Sequence, residues 1–150
     1  MENNKIENID FILKQAWTSV LKMYSEKALK YDSTAVQALV LLKIDPKKGT
    51  RSTNIGPKMA IEPTSLTRIL KVLFDNGFIR KEKIDTDKRA VIIKLTEKGM
   101  KFRNISREVV LNFNKDITEK ISPEKIEIFK EVMDEITKTA NEVYEKMRYK

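Results

Sequence analysis

The stretch from Pro63 to Gly77 constrains the fold most, because it reads as a helix with a start signal and a stop signal. Pro63 suits the first helical position, where its missing N–H leaves no hydrogen bond unmade, and Asn76-Gly77 supplies a left-handed residue that ends the helix. Apolar residues recur between these signals at the three-and-four spacing of one buried face, namely Leu66, Ile69, Leu70, Leu73 and Phe74. The opposite face carries hydroxyl and cationic side chains, namely Thr64, Ser65, Thr67, Arg68 and Lys71. Such a helix is either an ordinary amphipathic surface helix or one that enters the major groove of DNA.

A basic hairpin is predicted directly after this helix. Two short runs rich in β-branched residues, 78–84 and 90–95, flank a polar loop with two aspartates, which is typical of two antiparallel strands. The loop and the first strand carry a cluster of cations, namely Lys88 and Arg89 at the tip and Arg80, Lys81 and Lys83 in the strand. A helix followed by a basic hairpin is the outline of a winged helix-turn-helix.

The order of these pieces resembles the MarR family of bacterial transcription regulators. The resemblance rests on four segments: the polar helix with Thr67-Arg68, then Asn76-Gly77-Phe78-Ile79, the wing with Asp87 and Arg89, and the closing Leu95-Thr96-Glu97-Lys98-Gly99. It covers roughly residues 6 to 148 and implies a single mainly α-helical domain, 1–150, with a small β-hairpin wing. Residues 31–99 would form the winged helix that binds DNA, and helices within 5–29 and 100–148 would form a dimer.

The charge is concentrated in the same part of the chain. The net charge of +8 divides into zero for residues 1–46, +9 for residues 47–103 and −1 for residues 104–150. A charge run is often only a solvated face, but confinement of the whole excess to one module favours a polyanionic partner, nucleic acid first.

The missing residue types exclude several classes of site. With no Cys there is no disulfide, thiolate metal site or thiol chemistry, and with no His the usual general base and metal ligand are absent. We expect no cofactor, and an enzyme would need two carboxylates that converge in a cleft. No apolar run approaches the length of a membrane span, and the polar N-terminus does not read as a signal peptide, so we expect a cytoplasmic protein.

Helix signals mark the rest of the chain. A first helix is predicted from residue 5 to about 29, and Thr34 with Gln37 matches a capping box that opens a short apolar helix over 35–44. A short strand is expected at 50–52, and the first helix of the helix-turn-helix should follow it. Gly56-Pro57 is unusual there, and we expect that helix to begin late, capped by Ser52 or Thr53, and to be bent.

Two long helices close the chain. Thr96 is a predicted cap for a helix from Glu97 to about Lys120, and Ser122-Pro123 opens the last one. The last helix repeats apolar residues at heptad spacing, namely Ile126, Phe129, Met133, Ile136, Ala140, Val143 and Met147. Such a seam either closes the core of its own subunit or pairs with a second subunit, and the resemblance favours a homodimer.

The predicted contacts to DNA follow from these placements. Thr64, Ser65, Thr67 and Arg68 would face base edges or phosphates, with Arg68 suited to a bidentate contact with guanine. Lys71, Lys58 and Arg51 would contact phosphates, which fix position without reading sequence. Lys88 and Arg89 would lie at the wing tip, with Arg89 in the flanking minor groove. Asp87 would orient the Arg89 guanidinium, as the resemblance implies, or form the turn, and both roles can hold.

The resemblance also implies regulation. A small organic ligand, aromatic or amphipathic, would bind between the DNA-binding and dimerisation regions, with Phe11, Trp17, Tyr24 and Tyr31 as candidate lining residues. Their spacing on the first helix favours a core or a dimer seam over a ligand pocket for Trp17 and Tyr24. The expected protein is a homodimeric repressor that binds a pseudo-palindromic operator. The alternative is an interaction module, whose basic segment and heptad helix bind protein partners.

Overall fold

The computed structural model describes residues 8–150, with the exception of the side chain of Lys88. The elements in that range are α1 (Ile9–Ala28), a 3₁₀ turn (Leu29–Tyr31), α2 (Ala35–Leu42), β1 (Thr50–Arg51), α3 (Ser52–Met59), α4 (Pro63–Asp75), β2 (Ile79–Ile84), β3 (Asp87–Leu95), α5 (Glu97–Lys120) and α6 (Pro123–Arg148). The predicted fold class, mainly α with a small β wing, is confirmed. The chain divides into two compact units, one that ends at Val110 and one that runs from Leu111 to Lys150.

The predicted helix starts are confirmed where a side chain caps the first turn. Thr34 Oγ1 accepts a hydrogen bond from the Gln37 N–H at 3.2 Å, and the Gln37 side chain accepts one from the Thr34 N–H at 3.2 Å, which completes the capping box of α2. Ser122 caps α6 through a bond from the Lys125 N–H. Each cap satisfies backbone donors that a helix N-terminus leaves without partners.

The prediction for α3 was wrong at its start. The helix does not begin late, because Arg51 is its N-cap and Ser52 is already helical. Pro57 lies inside the helix, where its missing N–H leaves the carbonyl of Thr53 without the usual donor. A short helix tolerates this loss of one bond, and α3 ends after eight residues at Ala60, whose φ of 49° is left-handed.

Three strands form the wing, in the order β1-β3-β2 and antiparallel throughout. Thr50 pairs with Ile93, so the predicted short strand before α3 is confirmed, and Ile79 pairs with Leu95. The loop at the tip is shorter than expected. Ile84 already faces Asp87, and a register irregularity between Lys83 and Ile84 lets a two-residue turn join the strands.

The core lies in the first unit. Its largest fully buried side chains come from the helices and the wing: Phe78, Phe102, Leu41, Ile44, Ile55, Leu73, Ile93 and Val40. α4 buries Leu66, Leu70 and Leu73 in it, which confirms most of the predicted apolar face. Phe74 is the exception. It is 47% exposed, and the Lys81 ammonium lies 5.1 Å from the centroid of its ring.

The second unit exposes much of its apolar surface. α6 has no buried residue, and of its heptad positions only Ile126, Met133 and Ile136 are half-buried. Phe129 is 59% exposed and Met147 71% exposed. Within residues 8–150, none of the helices combines the length and the apolar character needed to cross a bilayer.

Candidate nucleic-acid interface

α4 presents its polar face to solvent. Thr64, Ser65, Thr67, Arg68 and Lys71 are all exposed, as the spacing of the apolar residues predicts. Thr67 Oγ1 donates to the Pro63 carbonyl at 2.9 Å, and Lys71 Nζ pairs with Asp75 Oδ2 at 2.6 Å. No ion pair found in the described part of the chain involves Arg68. The guanidinium predicted to contact bases is therefore exposed and is paired with no carboxylate of the described residues.

A cleft lined by β1, α3 and β3 brings together two arginines that are far apart in the sequence. Arg51 and Arg89 line one cleft of about 230 Å³, together with Ser52, Thr53, Asp87, Ala90 and Val91. Its lining includes Ser52 and Thr53, the first residues of α3, and this helix has no side-chain cap. Uncapped N–H groups at a helix N-terminus attract anions. The cleft thus combines two arginines and a helix N-terminus, which suit a phosphate, with one aspartate, Asp87, which opposes it.

A second opening lies between the two helices of the helix-turn-helix. This groove of about 720 Å³ has Ser52, Thr53 and Pro57 from α3 on one side and Thr67 from α4 on the other. Lys58 is exposed in the last turn of α3, and its side chain lines neither the groove nor the cleft. Lys58 therefore shares neither opening with the other predicted contacts.

The cations of the wing are not equivalent. Glu82 accepts a hydrogen bond from Lys94 Nζ at 2.9 Å and one from Arg80, and these two bonds, the Lys94 bond first, lower the pKa of its carboxyl group. Arg80 and Lys94 are therefore partly neutralised. Arg89 belongs to none of the ion pairs among the described residues. Among the described wing cations, Arg89 therefore remains unpaired with a carboxylate, as do Lys81 and Lys83.

Asp87 acts on the backbone of Arg89. Its Oδ1 atom accepts a hydrogen bond from the Arg89 N–H at 3.0 Å, as a turn-forming aspartate does. No bond from Asp87 to the Arg89 guanidinium is found in the described part of the structure. The side chain of Lys88 lies outside that part. Of the two roles considered for Asp87, the bonded geometry supports the turn.

The four candidate ligand residues are not brought together. Phe11 and Trp17 are exposed on α1, at 59% and 51%. Tyr31 stacks on Phe102 with ring centroids 4.9 Å apart and packs against the core. Only Tyr24 lines a cavity, and burial raises the pKa of its phenol.

That cavity is small and is formed mainly by residues that sequence analysis missed. It has a volume of about 10 Å³, and besides Tyr24 its lining includes Lys27, Ala28, Ala35, Ala38, Leu39, Ser106, Val109 and Val110. Small apolar side chains carry no signal in the sequence that separates a cavity wall from ordinary core.

Comparison with known proteins places this geometry in a family. A profile of the MarR family matches residues 33–91, which span α2, the helix-turn-helix and most of the wing. The organic hydroperoxide resistance transcriptional regulator of Bacillus subtilis is 30% identical over 104 residues, covering 66% of this chain and 71% of that protein.

Solved structures share the fold. The Staphylococcus aureus MepR–DNA complex superimposes with a TM-score of 0.78 at 16% identity, covering 87% of this chain and 97% of that one. The Streptomyces coelicolor regulator PcaV, solved with its natural ligand, gives 0.76 at 13% identity, covering 89% and 94%. Together with the exposed polar face of α4 and the basic wing, these similarities identify a regulator rather than an enzyme. The chain belongs to the MarR family of DNA-binding transcription regulators.

Proposed function

We propose that the protein is a cytoplasmic, homodimeric repressor that binds a pseudo-palindromic operator and is released by a small organic ligand. The observation that supports this most is the arrangement of the cations. Arg68 stands on the exposed face of α4, and Arg51 and Arg89 share one cleft that β1, α3 and β3 line. α4 would read base edges in the major groove, while the cleft would hold a backbone phosphate.

The exposed apolar residues support the dimer. α1 exposes Ile9, Phe11, Ile12 and Trp17, each by more than half, and α6 exposes Phe129 and Met147 along its heptad seam. Several exposed apolar side chains on each of two helices favour an interface over a solvated face. A two-fold dimer would present two copies of α4, so the operator would have two related half-sites about one helical turn apart.

Repression requires fewer contacts with other molecules than activation does. Occupation of an operator is enough to block a promoter, whereas activation also requires a contact with the transcription machinery. Because the features described above serve DNA binding and association, we propose repression as the output.

A ligand would act at the cavity beside Tyr24. As it stands, about 10 Å³ accommodates at most one water. Ligand binding would therefore have to open the space between α1, α2 and the first part of α5. These elements belong to the same unit as α4. The structure of PcaV with its natural ligand shows that a protein of this fold can hold one.

The test of DNA reading starts with selection of bound duplexes from a random pool. The parent protein should enrich a pseudo-palindrome. Arg68→Ala should then weaken binding to the selected duplex by about 1–3 kcal/mol and relax the preference at one base pair. Arg107→Ala, which removes an exposed arginine from α5, is the control and should leave that preference unchanged. Failure to enrich any sequence would refute specific recognition.

The dimer has a separate test. Val143→Asp adds a negative charge to the heptad seam, and Asn141→Asp adds the same charge two residues away on another face of α6. Sedimentation should show a dimer for the parent and for Asn141→Asp, and a dissociated chain for Val143→Asp. A monomeric parent at micromolar concentration would contradict the proposed symmetry.

A further inference from the structure

The closing segment of the wing binds the end of α4 through three consecutive carbonyl groups. Lys98 Nζ donates to the Asn76 carbonyl at 2.8 Å, and Thr96 Oγ1 donates to the Gly77 carbonyl at 2.6 Å. The Thr96 N–H donates to the Phe78 carbonyl at 3.1 Å. We call this set of contacts the α4–α5 junction; it joins residues 76–78 to residues 96–98.

The α4 side of the junction is itself a fixed helix end. The Phe78 N–H bonds to the Leu73 carbonyl at 2.9 Å and the Gly77 N–H bonds to the Phe74 carbonyl at 3.0 Å, which is the Schellman pattern. Gly77 has the left-handed φ of 75° that this pattern requires. The carbonyls of residues 76–78 therefore point away from the helix in set directions, and each meets a donor.

The α5 side is equally fixed. Thr96 Oγ1 accepts from the Gly99 N–H at 3.0 Å, so the hydroxyl group that holds Gly77 also caps α5. Gly99 packs so closely against Phe78 that a Cβ atom there would lie 1.8 Å from the Phe78 oxygen. The rings of Phe78 and Phe102 are both buried and have centroids 5.2 Å apart.

Lys98 is the only charged donor at the α4–α5 junction. Its ammonium lies 4.5 Å from the centroid of the Phe78 ring as well as on the Asn76 carbonyl. A cation at a helix C-terminus also interacts favourably with the helix dipole. These contacts combine on one exposed side chain, whereas the remaining contacts of the junction are made by the hydroxyl group and the backbone N–H of Thr96.

We propose that Lys98 is a positioning residue for DNA recognition: its ammonium holds the C-terminal end of α4 against the first turn of α5 and so sets the orientation of the recognition helix. The proposal rests on the function proposed above. Base contacts require side chains to be placed within tenths of an ångström, whereas phosphate contacts tolerate larger displacements. Loss of the ammonium would therefore reduce specific binding more than non-specific binding.

The test uses the full-length protein and three variants. Lys98→Met removes the ammonium but keeps a long apolar stem. Lys98→Arg keeps a cationic donor. Lys101→Met removes the same charge three residues further along α5, from an exposed lysine that has no hydrogen bond or ion pair in the described part of the chain. Affinity is measured over a range of salt for a duplex selected by the parent protein and for a random duplex of equal length.

We expect Lys98→Met to weaken binding to the selected duplex roughly three- to tenfold, as for a helix that is correctly placed a tenth to a third of the time. Binding to the random duplex should change less than about twofold, no more than in Lys101→Met, and the salt slope should match that control. Lys98→Arg should restore specific binding. Circular dichroism should show all variants folded at the assay temperature.

Three results would overturn the proposal. Equal losses on both duplexes with a shallower salt slope than Lys101→Met would make Lys98 a direct phosphate contact. A lowered melting temperature with unchanged affinity would make it a purely stabilising residue. Affinities equal to those of Lys101→Met would remove any special role, while leaving the proposed function intact. If the parent selects no duplex at all, the proposed function fails, and this inference fails with it.

Discussion

Gly99→Ala tests the tightest of the four glycine positions. The added Cβ atom would lie 1.8 Å from the Phe78 oxygen, whereas real Cβ atoms essentially never come within 3.0 Å of such a neighbour. The first turn of α5 and the end of α4 must therefore separate by more than an ångström. That movement stretches the bond between the Thr96 N–H and the Phe78 carbonyl, now 3.1 Å long.

The cost follows from three contributions. Overpacking costs about 1–3 kcal/mol, and loss of a hydrogen bond to a buried carbonyl adds about 1–3 kcal/mol. Replacement of glycine by alanine in a helix returns about 1 kcal/mol. We therefore expect the free energy of unfolding to fall by about 3 kcal/mol, which corresponds to a melting temperature lower by roughly 6–12 °C for a chain of this size.

Gly77→Ala is the matched control. Gly77 ends α4 with a left-handed backbone, and a Cβ atom there would meet nothing within 4 Å. An alanine at this position would therefore be strained only by the left-handed backbone. That strain costs about 1 kcal/mol. Thermal unfolding followed by circular dichroism, at equal protomer concentrations, compares the two variants. If Gly99→Ala is no less stable than Gly77→Ala, the close contact at the α4–α5 junction does not exist.

Three further predictions concern the wing and its cleft. Arg89→Ala should weaken binding to a selected duplex by about 1–3 kcal/mol in a gel-shift titration with no change in melting temperature; parent-like affinity would remove the wing from DNA recognition. Arg51→Ala should lower the slope of log K against log salt by about 1 without altering base preference, and an altered preference would contradict a phosphate contact. Because Lys94 and Arg80 lower the pKa of Glu82, its stabilising contribution is present above the ordinary value of 4.5 and lost as the pH falls through the folded value. The difference in melting temperature between the parent and Glu82→Gln should therefore shrink below pH 4.5, and a constant difference would refute that pairing.

Local signals predicted the elements whose ends are set by their own residues. Pro63 and Asn76-Gly77 fixed both ends of α4, and Thr34 with Gln37 fixed the start of α2, because caps act within four residues. The start of α3 could not be predicted in this way. Ser52 is helical although Pro57 follows five residues later, because β1 pairs with β3 immediately before it and sets where the chain turns.

The residues of the candidate site likewise divide into those that local sequence patterns predict and those that only tertiary contacts bring together. The exposed face of α4 follows from helical periodicity alone, so the spacing of the apolar residues predicts which polar residues lie on it. Arg51 and Arg89 line one cleft because strands from distant parts of the chain pair. Phe11 and Trp17 are exposed because no other described element packs over them, which the sequence of α1 alone does not reveal. Periodicity shows which residues share a face but does not show what lies against it.

The three carbonyl groups that residues 96–98 bind limit which fragment of the DNA-binding part can be moved into another protein. A fragment cut at the end of β3 would keep the recognition helix and the wing but would leave the carbonyls of Asn76, Gly77 and Phe78 without donors. A chimaeric regulator built from this protein should therefore take its graft through Phe102, so that the first turns of α5 travel with the helix they support.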